Sequence, residues 1–421
     1  MGILIRGGRC IDPSRNIDEI GEVYIEGEVI ATPDGGKVTA SIDAAGLWVV
    51  PGLIDAHVHL REPGGEYKED IASGLRAAAA GGFTAVLPMP NTTPPNDSAE
   101  ITRMMIAKAA SLGGARVYPV AAATVSRKGE TVCDLGTLVD AGAVAFSDDG
   151  SAVVDDAVMA AVLEACRDLG VPFSQHAEDP RVVKNGVLHD GPVARSLGVP
   201  GWPEAGESNI VARDIALAER LGAHIHLAHM STRASTVLIR EAKARGVRVT
   251  GEVAPHHLFL TDETARTAGT LAKVNPPLRP REHVEACIDA LADGTLDIIA
   301  TDHAPHSRED KEGGFEKAAF GLIGLETAVG LVLRLVEEGR LTPLRMIAAM
   351  STLPAKIFNL PGGTLRPGSP ADVTLIDPAR PHDIDPETSF SKSRNTPFAG
   401  WRVPGRAVRT IVGGRTVFSL V

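Results

Sequence analysis

The amino-acid sequence predicts an α/β protein: a (β/α)8 barrel of the TIM type with a small β-sandwich domain formed by both termini. Eight strand-like apolar segments alternate with segments of helical period over about 300 residues, which is the size and pattern of such a barrel. The two ends of the chain contain short strands and tight turns without helices. We therefore expect residues 51–360 to form the barrel, and residues 1–50 with 361–421 to form the small domain.

The expected barrel strands are buried, branched segments, and the helices between them are mostly closed by Gly or Asp-Gly. The strands are predicted at residues 53–59, 84–89, 116–120, 143–147, 171–176, 224–229, 247–253 and 296–302. The helices are predicted at residues 71–80, 98–112, 155–169, 208–221, 234–244, 281–291 and 325–338. A doubly wound open sheet is the alternative fold, but no G-x-G-x-x-G sequence follows the first strand.

Neither end of the chain can bury a core alone, so we pair the two ends in one domain. The N-terminal strands are predicted near residues 3–5, 22–25, 29–30 and 42, with a turn at 33–36. The C-terminal strands are predicted at residues 372–376, 409–412 and 415–418. The last two are expected to form a hairpin on the turn residues Gly413 and Gly414.

Composition and charge argue against several classes of protein. Of the 421 residues, 44% are hydrophobic and 23% are charged, which is typical of a globular chain rather than a disordered one. The formal net charge of −11 and the lack of a Lys/Arg run argue against nucleic acid or an anionic membrane as partner. We see neither a membrane-spanning segment nor a signal peptide, and the four cysteines are far apart, so we expect free thiols in the cytoplasm.

The clearest chemical signal is the pair His57 and His59 at the end of the first predicted strand. Alternate side chains of a strand share a face, so both imidazoles can reach one divalent ion such as zinc. The later strand ends add six more polar residues: Asn91, Asp148, Asp149, His176, His229 and Asp302. Such groups are costly in a barrel unless they are paired or metal-bound, so their convergence predicts a metal site. Four histidines and two aspartates suit two ions.

Other polar residues near these strand ends fit a structural role better. His224 and His226 have the opposite strand parity from His229, so we expect them to face the helices. Supporting or structural positions suit three more histidines: His256, His257 and His303. A solvated loop and helix start is expected for three glutamates: Glu62, Glu66 and Glu69.

A series of motifs runs along nearly the whole chain. They are Asp55-Ala-His57-Val-His59-Leu-Arg61-Glu-Pro-Gly64, Met89-Pro-Asn91-Thr92, Phe146-Ser-Asp-Asp149-Gly150, His176-Ala-Glu178, Ala228-His229-Met-Ser231, Ala254-Pro-His-His257-Leu258, Asn275-Pro-Pro-Leu-Arg279 and Thr301-Asp302-His-Ala-Pro-His306. Taken together, these motifs resemble the amidohydrolase superfamily and, more narrowly, the class I bacterial dihydroorotases.

The resemblance implies a centre of one or two zinc ions. The implied ligands are His57 and His59 for the first ion, His176 and His229 for the second, and Asp302 on the first ion as the catalytic acid–base. Many superfamily members bridge the metals with a carbamylated lysine, but no lysine stands near the end of the fourth strand here. The aspartate-bridged variant fits instead, with Asp149 as the bridge and Asp148 as the less favoured alternative.

The same resemblance implies the reaction and the substrate residues. The reaction is the reversible cyclisation of N-carbamoyl-L-aspartate to L-dihydroorotate in pyrimidine biosynthesis, with a metal-bridged hydroxide as the nucleophile of the hydrolytic direction. Arg61, Asn91 and His306 would hold the free carboxylate of the substrate. Asn275 and the backbone at Phe320 and Gly321 would touch the ring amide. A guanidinium two residues beyond the metal histidines can also bind a carboxylate bidentately at a fixed distance from the ions.

Other functions are kept as alternatives. Hydantoinase, dihydropyrimidinase and allantoinase are cyclic amidases, but they lose weight because the lysine is missing. A non-catalytic, dihydroorotase-like scaffold of aspartate transcarbamoylase is the alternative from another class, yet this chain keeps all six expected ligands. A homodimer and a complex with aspartate transcarbamoylase are the protein partners that the resemblance suggests. The polar segment 303–320, with Gly313 and Gly314, is expected to be a mobile loop over the strand ends.

Overall fold

Strands from both ends of the chain form one mixed sheet. The computed structural model describes residues 2–33 and 37–420. Within these ranges the sheet consists of Gly2–Asp12, Ile17–Glu26, Val29–Ala31, Val38–Asp43, Trp48–Pro51, Val373–Asp377, Arg406–Val412 and Arg415–Ser419. The predicted hairpin is present, and Gly413 and Gly414 have φ angles of 54° and 72°, the positive values that a two-residue hairpin turn requires. Of the turn expected at 33–36, residues 34–36 lie outside the described residues.

The strand Trp48–Pro51 connects the two ends of the chain within this sheet. It pairs in parallel with Gly2–Asp12 and antiparallel with Val373–Asp377. A core separate from that of the barrel lies against the sheet and includes Ile5, Val49 and Leu375. The exact division of the chain near residues 50 and 360 stays a prediction.

The central part of the chain forms the predicted α/β barrel. Its parallel strands are Leu53–Val58, Phe83–Pro88, Arg116–Val117, Val120–Ala121, Ala145–Phe146, Phe173–Gln175, Ile225–Leu227, Val249–Val253 and Ile298–Ile299. The third predicted strand is therefore broken into two short pieces, each paired to one neighbour. A parallel bridge between Val58 and His303 joins the end of the last strand to the first strand.

The helices begin close to their predicted positions because capping residues mark them. The side chains of Ser98 and Asp155 accept hydrogen bonds from the first turns of the helices that follow. The main helices are Ile71–Ala80, Ala99–Leu112, Leu135–Asp140, Asp156–Leu169, Ala205–Leu221, Arg233–Ala244, Arg281–Asp293 and Ala328–Glu337. No helix in the described ranges has the length and apolarity needed to cross a bilayer.

Shorter elements fill the connections between these helices and strands. The short helices are Pro180–Val183, Pro192–Leu197, Pro255–Phe259, Thr264–Ala268, Gly314–Lys317, Pro343–Ile347 and Leu353–Ile357, with a π-helical turn at Ala348–Thr352. Single turns of 3-10 helix are Pro13–Arg15, Val125–Arg127, Gly269–Ala272, Glu309–Lys311 and Pro386–Thr388. Two small strand pairs join Leu188–His189 to Gly201–Trp202 and His382–Asp383 to Arg402–Val403.

The inside of the barrel is mostly apolar at its base. Small and branched side chains of the strands, among them Ile54, Ala56 and Ala300, pack there against Phe358 and the helix Leu353–Ile357. This packing closes the amino-terminal end of the barrel. The carboxyl ends of the strands, where a barrel carries its site, hold the polar residues instead.

Candidate active site

The six side chains expected to bind metal come together at the carboxyl ends of the barrel strands. Each is at most 6% exposed: His57, His59, Asp149, His176, His229 and Asp302. Two subsets each bring one ligand atom per residue within 4.8 Å of the others, namely His57 with Asp149 and His229, and His57 with His59 and Asp302. His176 adjoins the first subset, because its Nδ1 atom lies 2.9 Å from the Nε2 atom of His229. The structure thus brings the whole predicted set to one place.

The carboxylate of Asp149 lies among the histidines. Its Oδ1 atom is 3.3 Å from Nε2 of His57, 3.4 Å from Nδ1 of His176 and 3.8 Å from Nε2 of His229. Its Oδ2 atom is 3.7 Å from Nε2 of His59. The Oδ1 atom therefore faces ligands expected for both ions, and the Oδ2 atom faces one expected for the first.

The neighbouring Asp148 points elsewhere. Its Oδ1 atom accepts hydrogen bonds of 3.0 Å from the backbone N–H groups of Ala123 and Thr124, and its Oδ2 atom accepts one from the hydroxyl of Thr124. These three bonds use both oxygens of the carboxylate and hold the end of a neighbouring strand. Asp148 is thus not oriented toward the histidines.

The residues present fit divalent metal ions. The Nε2 atom of His57 and the Nδ1 atom of His229 are buried and have no hydrogen-bond partner among the described residues. A buried polar atom without a partner is costly, and a metal ion is one way to satisfy it. Imidazole nitrogens with carboxylate oxygens form a donor set that zinc binds. The described residues could therefore hold a metal at this position.

The charges of the site balance one another. Burial disfavours charge on His57, yet the carboxylates of Asp149 and Glu252 raise its pKa well above the usual value. Burial would raise the pKa of Asp149, but His57 and two more histidines lower it well below the usual value. For His176, burial is again outweighed, here by hydrogen bonds to Asp149 and Glu178, and its pKa is raised to about 9. A cation entering the site would have to displace these protons.

Three site residues have strained backbone conformations. Arg61, His229 and Asp302 have φ angles of 60°, 38° and 50°. Left-handed conformations are unfavourable for residues other than glycine and concentrate at functional sites. Each of the three follows the regular part of a barrel strand, so the turn of the backbone there directs the side chain.

Arg61 and His306, two of the expected carboxylate-binding residues, are neighbours. The Nη2 atom of Arg61 lies 3.2 Å from the Nε2 atom of His306, and its Nε atom donates to the carbonyl of Pro305. The alternative, a surface ion pair between Arg61 and Glu62 or Glu66, is not formed: Glu62 instead pairs with Lys108. The guanidinium therefore has N–H groups to spare for a ligand.

The two expected asparagines contact predicted metal ligands and their neighbours. The Oδ1 atom of Asn91 lies 2.8 Å from Nδ1 of His59, and its Nδ2 atom donates to Asp149 at 3.2 Å. Asn275 donates from Nδ2 to Glu178 at 2.9 Å, while its buried Oδ1 atom has no partner among the residues that the structure describes. Asn91 therefore contacts ligands directly, whereas Asn275 is one residue removed from them.

The backbone at Phe320 and Gly321 adjoins His306. The carbonyl of Phe320 accepts a hydrogen bond of 2.8 Å from Nε2 of His306. The N–H group of Gly321 donates to the carbonyl of Lys273. The buried ammonium of Lys311 in turn donates to the carbonyls of Lys273, Ala319 and Gly321. This part of the chain is thus held by an interior lysine.

The expectation of a solvated loop is wrong for two of the three glutamates. Glu62 is 7% exposed and Glu69 is fully buried, whereas Glu66 is exposed as expected. The hydroxyl of Ser391 and the backbone N–H of Lys392 donate to Glu69, so the C-terminal part of the chain covers it. Glu69 also lies 3.3 Å from Nε2 of His303, which gives that histidine a supporting position.

The expected direction of His224 and His226 is also wrong. Both rings lie within 2.8 Å of the hydroxyl of Thr250, and His226 also contacts Glu252 and the ring of Phe358 inside the barrel. The parity argument fails because the regular strand ends at Leu227, two residues before His229. Neither His224 nor His226 joins a metal-binding group.

Sequence reasoning missed two carboxylates next to the ligands. Glu252 lies 2.6 Å from Nδ1 of His57 and is 1% exposed. Glu178 lies 3.0 Å from Nε2 of His176. A glutamate within a buried predicted strand is a sequence signal that could have identified Glu252. The pair His256 and His257 is buried nearby but is in neither metal-binding group.

Comparison with known proteins agrees with this geometry. The Dihydro-orotase-like family model matches residues 46–235. A dihydroorotase of Syntrophotalea carbinolica is 52% identical over 100% of both chains, and one of Anaeromyxobacter dehalogenans is 50% identical over 99% of this chain and 97% of its own. The solved L-hydantoinase (dihydropyrimidinase) of Arthrobacter aurescens superposes with a TM-score of 0.88 at 25% identity, covering 99% of this chain and 96% of that one.

The likeness in fold and the likeness in sequence lead to the same enzyme class. The hydantoinase structure supports the predicted amidohydrolase barrel with its mixed sheet. The much higher identity over full length distinguishes the dihydroorotases from the other cyclic amide hydrolases. The chain is a cyclic amide hydrolase and belongs to the dihydroorotase family.

Proposed function

We propose that this chain interconverts N-carbamoyl-L-aspartate and L-dihydroorotate in de novo pyrimidine biosynthesis. The site residues are proposed to have the roles that the resemblance of the sequence implies. The observation that best supports the proposal is that Arg61, which adjoins His306, lies close enough to the ligand-type side chains to interact electrostatically with His59 and Asp302. A substrate with a free carboxylate and a ring amide needs one group for each end. The full-length identity to dihydroorotases supports the same reaction.

We propose zinc as the metal, with two ions per chain when the site is full. His57 and His59 would hold the first ion with Asp302, and His176 and His229 the second, with Asp149 between them. Such ions polarise a carbonyl oxygen and lower the pKa of a bound water, which is the chemistry an amide hydrolysis needs. The two unpartnered buried imidazole nitrogens and the nitrogen–oxygen donor set support this assignment.

Asp302 is proposed as the acid–base. In the hydrolytic direction an oxygen from water bonds to the ring carbonyl carbon, the carbon–nitrogen bond breaks, and Asp302 carries the proton from the attacking oxygen to the leaving nitrogen. In the biosynthetic direction Asp302 takes a proton from the carbamoyl nitrogen. Its burial and its position 3.1 Å from Nε2 of His59 support a carboxylate held in one orientation.

Arg61 and His306 are proposed to bind the substrate carboxylate, with Asn91 contributing from the side of the ligands. Burial, Arg61 and Lys68 lower the pKa of His306, so this imidazole is neutral and leaves the charge to the guanidinium. Asn275 and the backbone at Phe320 and Gly321 are proposed at the ring amide. The buried, unpartnered Oδ1 atom of Asn275 supports its role as an acceptor for a substrate N–H group.

Activity on dihydroorotate and on its rivals tests the proposal. The purified chain should hydrolyse dihydroorotate, cyclise carbamoyl aspartate and contain zinc, while hydantoin and allantoin, which lack the carboxylate, should be poor substrates. Equal turnover of hydantoin would contradict the assignment of Arg61. A fully metal-loaded chain without turnover would favour the scaffold role.

We also propose a complex with aspartate transcarbamoylase, a homodimer and a cytoplasmic location. Mixing with aspartate transcarbamoylase tests the complex, and the mass of the chain in solution tests the homodimer. Fractionation of cells tests the location.

A further inference from the structure

Glu252 lies directly beneath the proposed metal ligands. Its Oε1 atom accepts from Nδ1 of His57 at 2.6 Å and from the backbone N–H of His229 at 3.1 Å. Its Oε2 atom faces Nε2 of His226 at 3.1 Å. One carboxylate therefore contacts a ligand proposed for the first ion and a ligand proposed for the second.

The hydrogen bonds around Glu252 can be arranged in only one direction. A carboxylate can only accept, so Nδ1 of His57 and Nε2 of His226 must both carry protons. When His226 carries only this one ring proton, its Nδ1 atom accepts a hydrogen bond of 2.8 Å from the hydroxyl of Thr250. The hydroxyl oxygen of Thr250 in turn accepts from Nε2 of His224, also at 2.8 Å.

This arrangement determines which nitrogen of His57 is free. Because Nδ1 of His57 is used as a donor to Glu252, Nε2 is the ring nitrogen that remains to bind a metal; it lies 3.3 Å from Oδ1 of Asp149 and has no hydrogen-bond partner among the described residues. The backbone N–H group of His229 donates to Glu252, and His229 is the residue whose φ angle is 38°. Glu252 thus restrains one ligand through its ring and another through its strained main chain.

We propose that Glu252 is the positioning residue of both metal sites, and that His226 holds Glu252 in place. This inference rests on the proposed metal-dependent function. Neither residue is in a metal-binding group of the described residues. A carboxylate that holds the ring of a ligand fixes its tautomer and orientation, and loss of such a partner typically costs about 10–100-fold in metal affinity. Here the loss is expected at both ions, because one side chain supports both.

The test is the zinc affinity of Glu252→Gln, measured by competition with a chromogenic chelator. The amide keeps the size of the side chain but removes the charge. Its N–H group can face the protonated Nε2 of His226, and two donors cannot form a hydrogen bond with each other. We expect affinity to fall about 10–100-fold at both sites. The matched control is Asp12→Asn, which alters a buried carboxylate of the terminal sheet, bonded to the N–H groups of Ser14 and Leu365. The control should retain wild-type zinc affinity.

Two further variants cover the case in which Glu252→Gln does not fold. Glu252→Asp keeps the charge and should recover part of the affinity, and His226→Gln should lose affinity in the same direction but by less. In the cobalt-loaded chain, Glu252→Gln should shift the visible absorption bands, which report ligand geometry.

Wild-type zinc affinity in folded Glu252→Gln, or in both fallback variants, would overturn the proposal, as would an equal loss in Asp12→Asn. Zinc binding needs no substrate, so a wild-type chain that binds zinc without turning over dihydroorotate would contradict only the proposed function.

Discussion

The guanidinium of Arg61 and the imidazole of His306 lie side by side, with Nη2 and Nε2 3.2 Å apart. The imidazole donates to the carbonyl of Phe320 at 2.8 Å, and Arg61 makes no ion pair within the described part of the chain. A partly buried positive charge without a fixed counterion is well placed to receive the carboxylate of a substrate.

Replacing Arg61 with lysine should reduce specificity for the carboxylate. Lysine keeps the charge but loses the planar fork, so kcat/KM for dihydroorotate should fall at least about tenfold, equivalent to about 1.4 kcal/mol of transition-state binding. Zinc content should not change, because Arg61 is not a ligand. Steady-state kinetics with metal analysis measures both. An unchanged kcat/KM would show that another residue holds the carboxylate.

Replacing the two aspartates of the site, Asp302 and Asp149, with asparagine should have different effects on metal content and turnover. Asp302→Asn keeps an oxygen near the first ion but cannot relay a proton, so metal should remain while kcat falls about a hundredfold or more. Asp149→Asn removes a charge between two cations, so loss of the second ion should come first. Metal stoichiometry measured beside kcat separates the two. Asp148→Asn is the control for Asp149: if it loses metal while Asp149→Asn keeps it, the bridge is misassigned.

Removing the metal should abolish turnover. The proposed mechanism needs the ions to polarise the carbonyl, so a strong chelator should stop hydrolysis of dihydroorotate and added zinc should restore it. The ultraviolet absorbance of dihydroorotate follows the reaction. A chelated chain, shown by elemental analysis to hold no metal, that still worked at the original rate would refute the metal centre.

Zinc affinity should rise with pH. An imidazole binds metal only when it is neutral, and without metal the pKa of His176 is raised to about 9, so below that pH a proton competes with the ion. The apparent affinity should therefore increase between about pH 6 and pH 9 and level off above. Titration with zinc in buffers of matched ionic strength checks this. A flat profile would mean that His176 is neutral throughout or is not a ligand.

Loss of the buried lysine near Gly321 should weaken substrate binding without loss of metal. Lys311→Met leaves the carbonyl of Ala319 without a donor and removes one of the two donors to each of the carbonyls of Lys273 and Gly321. Each buried group left unsatisfied costs about 1–3 kcal/mol. We expect a several-fold higher KM and a lower melting temperature, with zinc content unchanged. Lys317→Met, at an exposed position of the same segment, is the control and should match the wild type. An unchanged KM in folded Lys311→Met would separate this segment from substrate binding.

The sequence predicts the barrel well because eight apolar strand segments alternate with segments of helical period. It predicts the metal ligands well because polar residues recur at the strand ends, where burial without a partner is costly. What it predicts poorly depends on long-range packing and on local breaks in regular structure. Glu69 was expected in solvent because its cover, Ser391, lies more than three hundred residues away in sequence. His226 was assigned to the wrong face because strand parity does not extend through the strained backbone at His229. Glu252 was missed because only the residues at the strand ends were considered as ligands, and Glu252 lies before the last residue of its strand, Val249–Val253.

The position of Trp48–Pro51 between the two ends of the chain has a consequence for biosynthesis of the protein. This strand leads directly into Leu53–Val58, which carries His57, yet its antiparallel neighbour is Val373–Asp377, more than three hundred residues later. These two strands can pair only after the C-terminal part of the chain has left the ribosome, and such non-local contacts form slowly. The sheet beneath the first ligand strand is therefore completed last, so chains released early should lack a stable metal centre even when all six ligands have been synthesised.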